Sequence, residues 1–131
     1  MVGIVVVSHS TRIASGVAEL AGQMAGTDVA IESAGGTGDG GLGTDERSVR
    51  EAIGRADRGS GVVVLGDLGS SILTVRHLLE VRDEAGGNGH VRLADAPLVE
   101  GALAAAVAAS AGVDLDAVVR AAEEARDVRK L

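Results

Sequence analysis

Ser8-His9-Ser10 follows directly on the apolar run Ile4–Val7, and Gly66-Asp67-Leu68-Gly69-Ser70-Ser71 follows directly on a second run, Val62–Leu65. A histidine and a carboxylate at the ends of two neighbouring strands can act as a pair. The carboxylate accepts the proton of one imidazole nitrogen, fixes the tautomer and turns the other nitrogen outward. That outer nitrogen is a nucleophile near neutral pH. The flanking residues suit an anion: Ser10 and Thr11, and Gly69, Ser70 and Ser71, stand at helix starts. Unpaired backbone N–H groups and the helix dipole favour a phosphate there. Gly66 and Gly69 let the backbone come close. The chemistry these residues spell is phosphoryl transfer, with His9 as acceptor, Asp67 as its orienting partner, and amides and hydroxyls around the phosphoryl oxygens. The plainer reading is a histidine that merely closes a strand, with Ser70 and Ser71 as ordinary helix caps.

The other candidates are weaker. His77 sits in the middle of a helical pattern and reads as a surface residue. His90 follows Gly86-Gly87-Asn88-Gly89 and reads as a loop residue. Neither makes a metal-ligand spacing with His9, so no metal is expected. The glycine-rich stretch 35–43 lacks the Lys-Ser/Thr ending of a P-loop and does not match the dinucleotide fingerprint. A mobile surface loop is the simpler reading of it.

The elements that must position His9 and Asp67 follow from hydrophobic patterning. Residues 2–7 are apolar on both faces, as in a buried parallel strand. A helix follows, with Ser10 or Thr11 as N-cap and Ile13, Val17, Leu20 and Met24 as its apolar face. Val29–Ser33 is a second strand. Thr44 or Asp45 caps a second helix with Val49, Ala52, Ile53 and Ala56 inward. The third strand is the run at 61–67, and the third helix turns Ile72, Val75 and Leu79 inward. Residues 90–95 form a weaker fourth strand. After Pro97 comes a helix of small residues ended by Gly112, then an amphipathic helix with Asp114 near its start and a charged, solvated face over Glu123–Lys130. The order βαβαβαβαα predicts an α/β fold: one open, mostly parallel sheet with helices on both faces. With strand order 2-1-3-4 the winding reverses between strands 1 and 3, where ligands bind in such sheets. That places His9 beside Asp67. The whole chain, 1–131, reads as a single domain.

Composition narrows the functional classes. The net charge is −7 and aromatic residues are absent. Both argue against nucleic acid, and the charge argues against anionic membrane surfaces. There is no cysteine, hence no disulfide framework and no thiolate site. The first apolar run is only strand-length, without a basic lead or cleavage site, and reads as neither signal peptide nor membrane span. A cytoplasmic location is expected.

Four stretches then carry a resemblance: "VVVSHSTRIASGVAELAGQM", "LGTDE", "GDLGSS" and "ADAPLVEGALAAAVAASAG". From residue 2 to about 120 the chain closely resembles the DhaM family. These are the phosphotransferase subunits of phosphoenolpyruvate-dependent dihydroxyacetone kinase, within the mannose-type enzyme IIA group of the sugar phosphotransferase system. The resemblance implies a phosphohistidine at His9, hydrogen-bonded by Asp67 and phosphorylated on the outer ring nitrogen. It implies that the phosphoryl group comes from the phosphocarrier HPr, itself charged by enzyme I. The group would pass to ADP on the partner subunit DhaL, and the ATP formed would serve dihydroxyacetone held by DhaK. No cofactor is implied on this subunit, ADP/ATP and Mg belonging to DhaL. A homodimer is implied, and an antiparallel edge strand, for which Ala96–Val99 is the candidate position. The chain departs from the family in its glycine-rich loop, where charged or polar residues are usual. Some family members also carry HPr-like and enzyme I-like domains, so reliance on separate carriers is expected here.

Two other readings stand beside this one. The domain could be a non-catalytic sensor in which phosphorylated His9 changes a binding surface. It could also be a small sirohydrochlorin-type metal chelatase, but such chains begin "HGSR" where this one has "SHSTR", and His77 lies in the wrong context for a second ligand.

Overall fold

The computed structural model describes residues 1–87 and 89–131. Asn88, in the stretch read as a loop before His90, lies outside the described residues. Four strands, β1 (Gly3–Ser8), β2 (Ile31–Gly35), β3 (Val62–Gly66) and β4 (Val91–Leu93), alternate with α1 (Thr11–Ala25), α2 (Glu46–Ala56) and α3 (Gly69–Glu84). Two further helices, α4 (Leu98–Ser110) and α5 (Leu115–Glu124), and a short 3-10 turn complete the chain. The sheet order is β2-β1-β3-β4 and each pairing is parallel, as the alternation of strand and helix required. In register, Val7 opposes Ala34 on one side and Gly66 on the other.

β1 and β3 are buried on both faces, which is why their sequences do not alternate. Ile4, Val6, Val63 and Leu65 face α1, α4 and α5, whereas Val5, Val7, Val62 and Val64 face α2 and α3. Each such side chain contributes roughly 1.5–3 kcal/mol of transfer free energy. The core is therefore two thin aliphatic layers, one on each side of the sheet.

Several expectations need correcting. On α1, Ile13, Leu20 and Met24 are exposed, at 50%, 42% and 52%. The buried face is Ala14, Val17, Ala21 and Ala25. The cause lies in the neighbour: α4 offers Ala102, Ala105, Ala106 and Ala109, all fully buried in the same layer. Two alanine faces pack closely, and larger residues in the contact would overfill it. On α3 the inward residues are Ser71, Val75 and Leu78, with Leu79 only flanking the core. β2 begins two residues later than the hydrophobic run predicts.

Among the described residues the sheet has four parallel strands and no antiparallel edge strand. The candidate stretch Ala96–Val99 instead contains Pro97 as the N-cap of α4, at φ −64° and ψ 138°, and the helix begins at Leu98. Proline is pre-set for a helix entry and has no N–H for a ladder. The charged C-terminal face is only partly free: Glu123 accepts the amide of Asp95 at 2.9 Å, and Arg126 reaches the Asp95 carbonyl at 2.8 Å. This ties the loop after β4 to the end of α5. No helix among the described residues is long and apolar enough to cross a membrane.

Candidate active site

The C-terminal ends of β1 and β3 lie side by side, and each chain turns at once into a helix. Ser8 closes β1, buried and facing β3. Ser10 caps α1, its Oγ accepting the Ile13 amide at 3.3 Å. The turn between them is tight because β2 ends in Gly35. A Cβ at that position would lie 2.7 Å from the Ser10 carbonyl oxygen and 2.9 Å from that of Ser8. His9 is thus held between two fixed residues, with its side chain 25% exposed.

Asp67, one residue beyond β3, grips this turn with both oxygens. Oδ2 accepts the Ser8 hydroxyl at 2.7 Å and the His9 amide at 3.0 Å. Oδ1 lies 2.9 Å from His9 Nδ1 and accepts the Leu68 amide at 2.7 Å. Burial works against the ionised form. The hydrogen bonds from Ser8, from the amide and ring of His9, and from Leu68 outweigh it and hold the carboxyl well below the usual carboxylate range. An ionised carboxylate only accepts, so Nδ1 carries the hydrogen and Nε2 has a free lone pair.

Nε2 points toward the start of α3, where the Ser70 hydroxyl is within hydrogen-bond reach and donates to it. No side chain caps this helix: Leu68 is its N-cap. The first amides of α3, at Gly69, Ser70 and Ser71, therefore have no intrahelical partner. An anion on Nε2 would meet those N–H groups and the positive end of the dipole.

The structure gathers some of the candidate residues and separates others. His9, Asp67 and Ser70 meet, and Gly69 lies beside them at the helix start. Ser71 meets His9 from the opposite side: it is fully buried, and its Oγ lies 3.1 Å from Nδ1, not at the outer nitrogen. Its hydroxyl lies away from the outer nitrogen because the third residue of α3 points into the core. The Ser10 hydroxyl is taken up as a helix cap and that of Thr11 donates to the Gly35 carbonyl at 2.8 Å. Both side chains serve the turn. His77 is exposed on α3, and His90 lies 3.8 Å from Asp57, far along the chain from this site. Among the described residues no three His, Asp or Glu side chains gather to hold a metal ion.

Three contributions went unread in the sequence. Ser8 carried a signal, a polar residue closing a buried strand. Gly43 donates its amide to the His9 carbonyl at 2.9 Å, and Thr44 Oγ1 stands 2.5 Å from Ser71 Oγ. Both stand in the stretch "LGTDE" that carries the resemblance, yet that stretch offers Thr44 only as a helix cap and says nothing of a contact with Ser71 or His9. The glycine-rich segment is closed on itself by a bridge between Gly36 and Thr44, so its end belongs to the site. Gly43 adopts φ +148°, a conformation that favours glycine.

Comparison with known proteins gives the family. The family pattern described as PTS system fructose IIA component, EIIA-man, matches residues 3–119. A DhaM of Klebsiella michiganensis, named as the phosphoryl donor subunit of PEP-dependent dihydroxyacetone kinase, is 40% identical over 134 residues. The match takes in 100% of this chain and 28% of that protein, so the chain spans under a third of its length. A second DhaM, from Listeria innocua, is 38% identical over 92% of this chain and 95% of its own length. The crystal structure of EF1359, a protein of unknown function, superposes with a TM-score of 0.79 at 35% identity, covering 95% of each chain. The fold and the resemblance read from "VVVSHSTRIAS" and "GDLGSS" agree with these matches: this chain belongs to the EIIA-man family of phosphotransferase-system components.

Proposed function

We propose that this protein is the phosphoryl-relay subunit of a dihydroxyacetone kinase, with His9 as the covalent carrier. The observation that carries the reading is the 2.9 Å contact between His9 Nδ1 and Asp67 Oδ1, which leaves Nε2 as the nucleophile at an uncapped helix start. The relatives' names, as phosphoryl donor subunits of that kinase, supply the system.

In the forward step the Nε2 lone pair attacks the phosphorus of a phosphorylated carrier, HPr in this reading. The Nε2–P bond forms as the carrier's N–P bond breaks. Asp67 keeps Nδ1–H in place and offsets the positive charge that grows on the ring. Ser70 turns its hydroxyl from Nε2 to a phosphoryl oxygen, and the α3 amides take the others. Catalysis is positioning and charge stabilisation. In the second step the phosphoryl group leaves for ADP on a DhaL subunit, where Mg also belongs, and the ATP formed phosphorylates dihydroxyacetone on DhaK. No cofactor is assigned to this subunit.

Protein partners fit the surface around the histidine. Leu42, Leu68 and Leu73 are exposed at 80%, 65% and 65% on the segments that frame it. These leucines are the candidate contacts for a phosphoryl donor or acceptor protein. The protein is expected to act as a homodimer in the cytoplasm.

The test is intact mass after incubation with phosphoenolpyruvate, enzyme I and HPr, followed by ADP-loaded DhaL. One acid-labile phosphate on His9 that is lost to DhaL is the expected result. A phosphate that forms and stays indicates a sensor; no phosphate from a competent donor overturns the assignment.

A further inference from the structure

Thr44 closes the glycine-rich segment, 27 residues before Ser71 in the chain, yet its Oγ1 stands 2.5 Å from Ser71 Oγ. Ser71 Oγ in turn lies 3.1 Å from His9 Nδ1. Ser71 is fully buried, so its hydroxyl has no bulk water to turn to. It has one hydrogen and two lone pairs to place.

The tautomer decides how they are placed. Nδ1 carries a hydrogen because the Asp67 carboxylate faces it. A nitrogen that donates cannot accept from Ser71. The Ser71 hydrogen must go elsewhere, and Thr44 Oγ1 is the acceptor at hand. That bond turns a lone pair of Ser71 toward Nδ1–H, which is then shared by Asp67 Oδ1 and Ser71 Oγ. The same segment also holds the backbone of His9, through the Gly43 amide on its carbonyl.

We propose that Thr44 is a positioning residue of the His9 site: it acts through Ser71 to hold the imidazole in its Nδ1–H tautomer with Nε2 outward. Without the Thr44 hydroxyl, the Ser71 hydrogen turns to Nδ1 and favours the other tautomer, in which Nε2 is protonated and cannot attack phosphorus. This assigns a task to the glycine-rich segment. Its loop carries Thr44 from the end of β2 to the far side of the ring.

The proposal rests on His9 being the phosphoryl acceptor, so its test has one arm independent of that reading. In the unphosphorylated protein, 15N resonances of the His9 ring report the tautomer. Wild type and Thr44→Ser are expected to show Nδ1–H alone, and Thr44→Val a mixture. In the second arm, Thr44→Val takes phosphate from phospho-HPr about fivefold more slowly, the rate equivalent of one neutral hydrogen bond, at unchanged KM for the donor. Thr44→Ser restores the rate. Ser71→Ala slows transfer similarly, and adding Thr44→Val to it has no further effect. A wild-type ring spectrum in Thr44→Val, a Thr44→Ser protein as slow as Thr44→Val, or additive effects of the two substitutions would each overturn the proposal. Expected spectra in a wild-type protein that takes no phosphate would support the positioning role and overturn the relay instead.

Discussion

The hydroxyl of Ser8, fully buried at the end of β1, donates to Asp67 Oδ2 at 2.7 Å and joins the two strand ends across the point where the winding reverses. The same Ser8 Oγ accepts the Ser10 amide at 3.1 Å. One small side chain therefore holds both the carboxylate that orients His9 and the turn that carries it. Ser8→Ala removes a hydrogen bond to a charged group from a buried site. We expect a loss of about 1.5–3 kcal/mol in urea unfolding, together with slower phosphorylation. A loss below about 0.5 kcal/mol would show that the bond is not part of what holds Asp67.

His9→Ala should abolish phosphorylation and leave the far-ultraviolet circular dichroism unchanged. The ring is 25% exposed, and two backbone hydrogen bonds of the turn, the His9 amide to Asp67 Oδ2 and the Gly43 amide to the His9 carbonyl, survive the loss of the ring. Phosphate at wild-type level on the variant would move the acceptor to another residue.

Asp67→Asn should slow transfer without stopping it, since Nε2 keeps its lone pair in one of two tautomers. An unchanged rate would remove Asp67 from the reaction.

The same substitution tests the linkage of Asp67 to folding. Its folded carboxyl is held below the ordinary range, so its ionised form stabilises the fold above the unfolded value of about 3.9. That stability is lost as pH falls from there toward the lowered value. The difference in unfolding free energy between wild type and Asp67→Asn should begin to shrink at about pH 5 and go on shrinking as the pH falls further. A difference that stays flat at still lower pH would contradict the assigned shift.

Gly35→Ala should be costly although it adds one methyl group. The new Cβ would press on the Ser10 and Ser8 carbonyl oxygens at 2.7 and 2.9 Å, which are backbone atoms with little room to move. We expect a destabilisation of about 1–3 kcal/mol and a slower transfer rate, because the displaced turn carries His9. Wild-type thermal stability in this variant would show that β2 can retreat from the turn.

The sequence by itself determined the sheet and its reversal point. Uninterrupted runs such as Val62–Leu65 have no polar face, so they must be covered on both sides, and the helices between them allow only parallel, right-handed crossovers. From that alone His9 and Asp67 fall side by side. Tertiary structure decided what periodicity cannot weigh. The apolar stripe of Ile13, Leu20 and Met24 has the stronger hydrophobic signal, yet Ala14, Ala21 and Ala25 are inside, because the alanine face of α4 selects small partners. Pro97 opens a helix where an edge strand was expected, since its fixed φ suits a helix entry. The orientation of Ser71, and the meeting of Thr44 with it, depend on how α3 rotates against the sheet and where the glycine-rich segment returns. Local sequence encodes the elements through side-chain patterning; contacts between residues far apart in the chain arise only when packing sets how those elements meet.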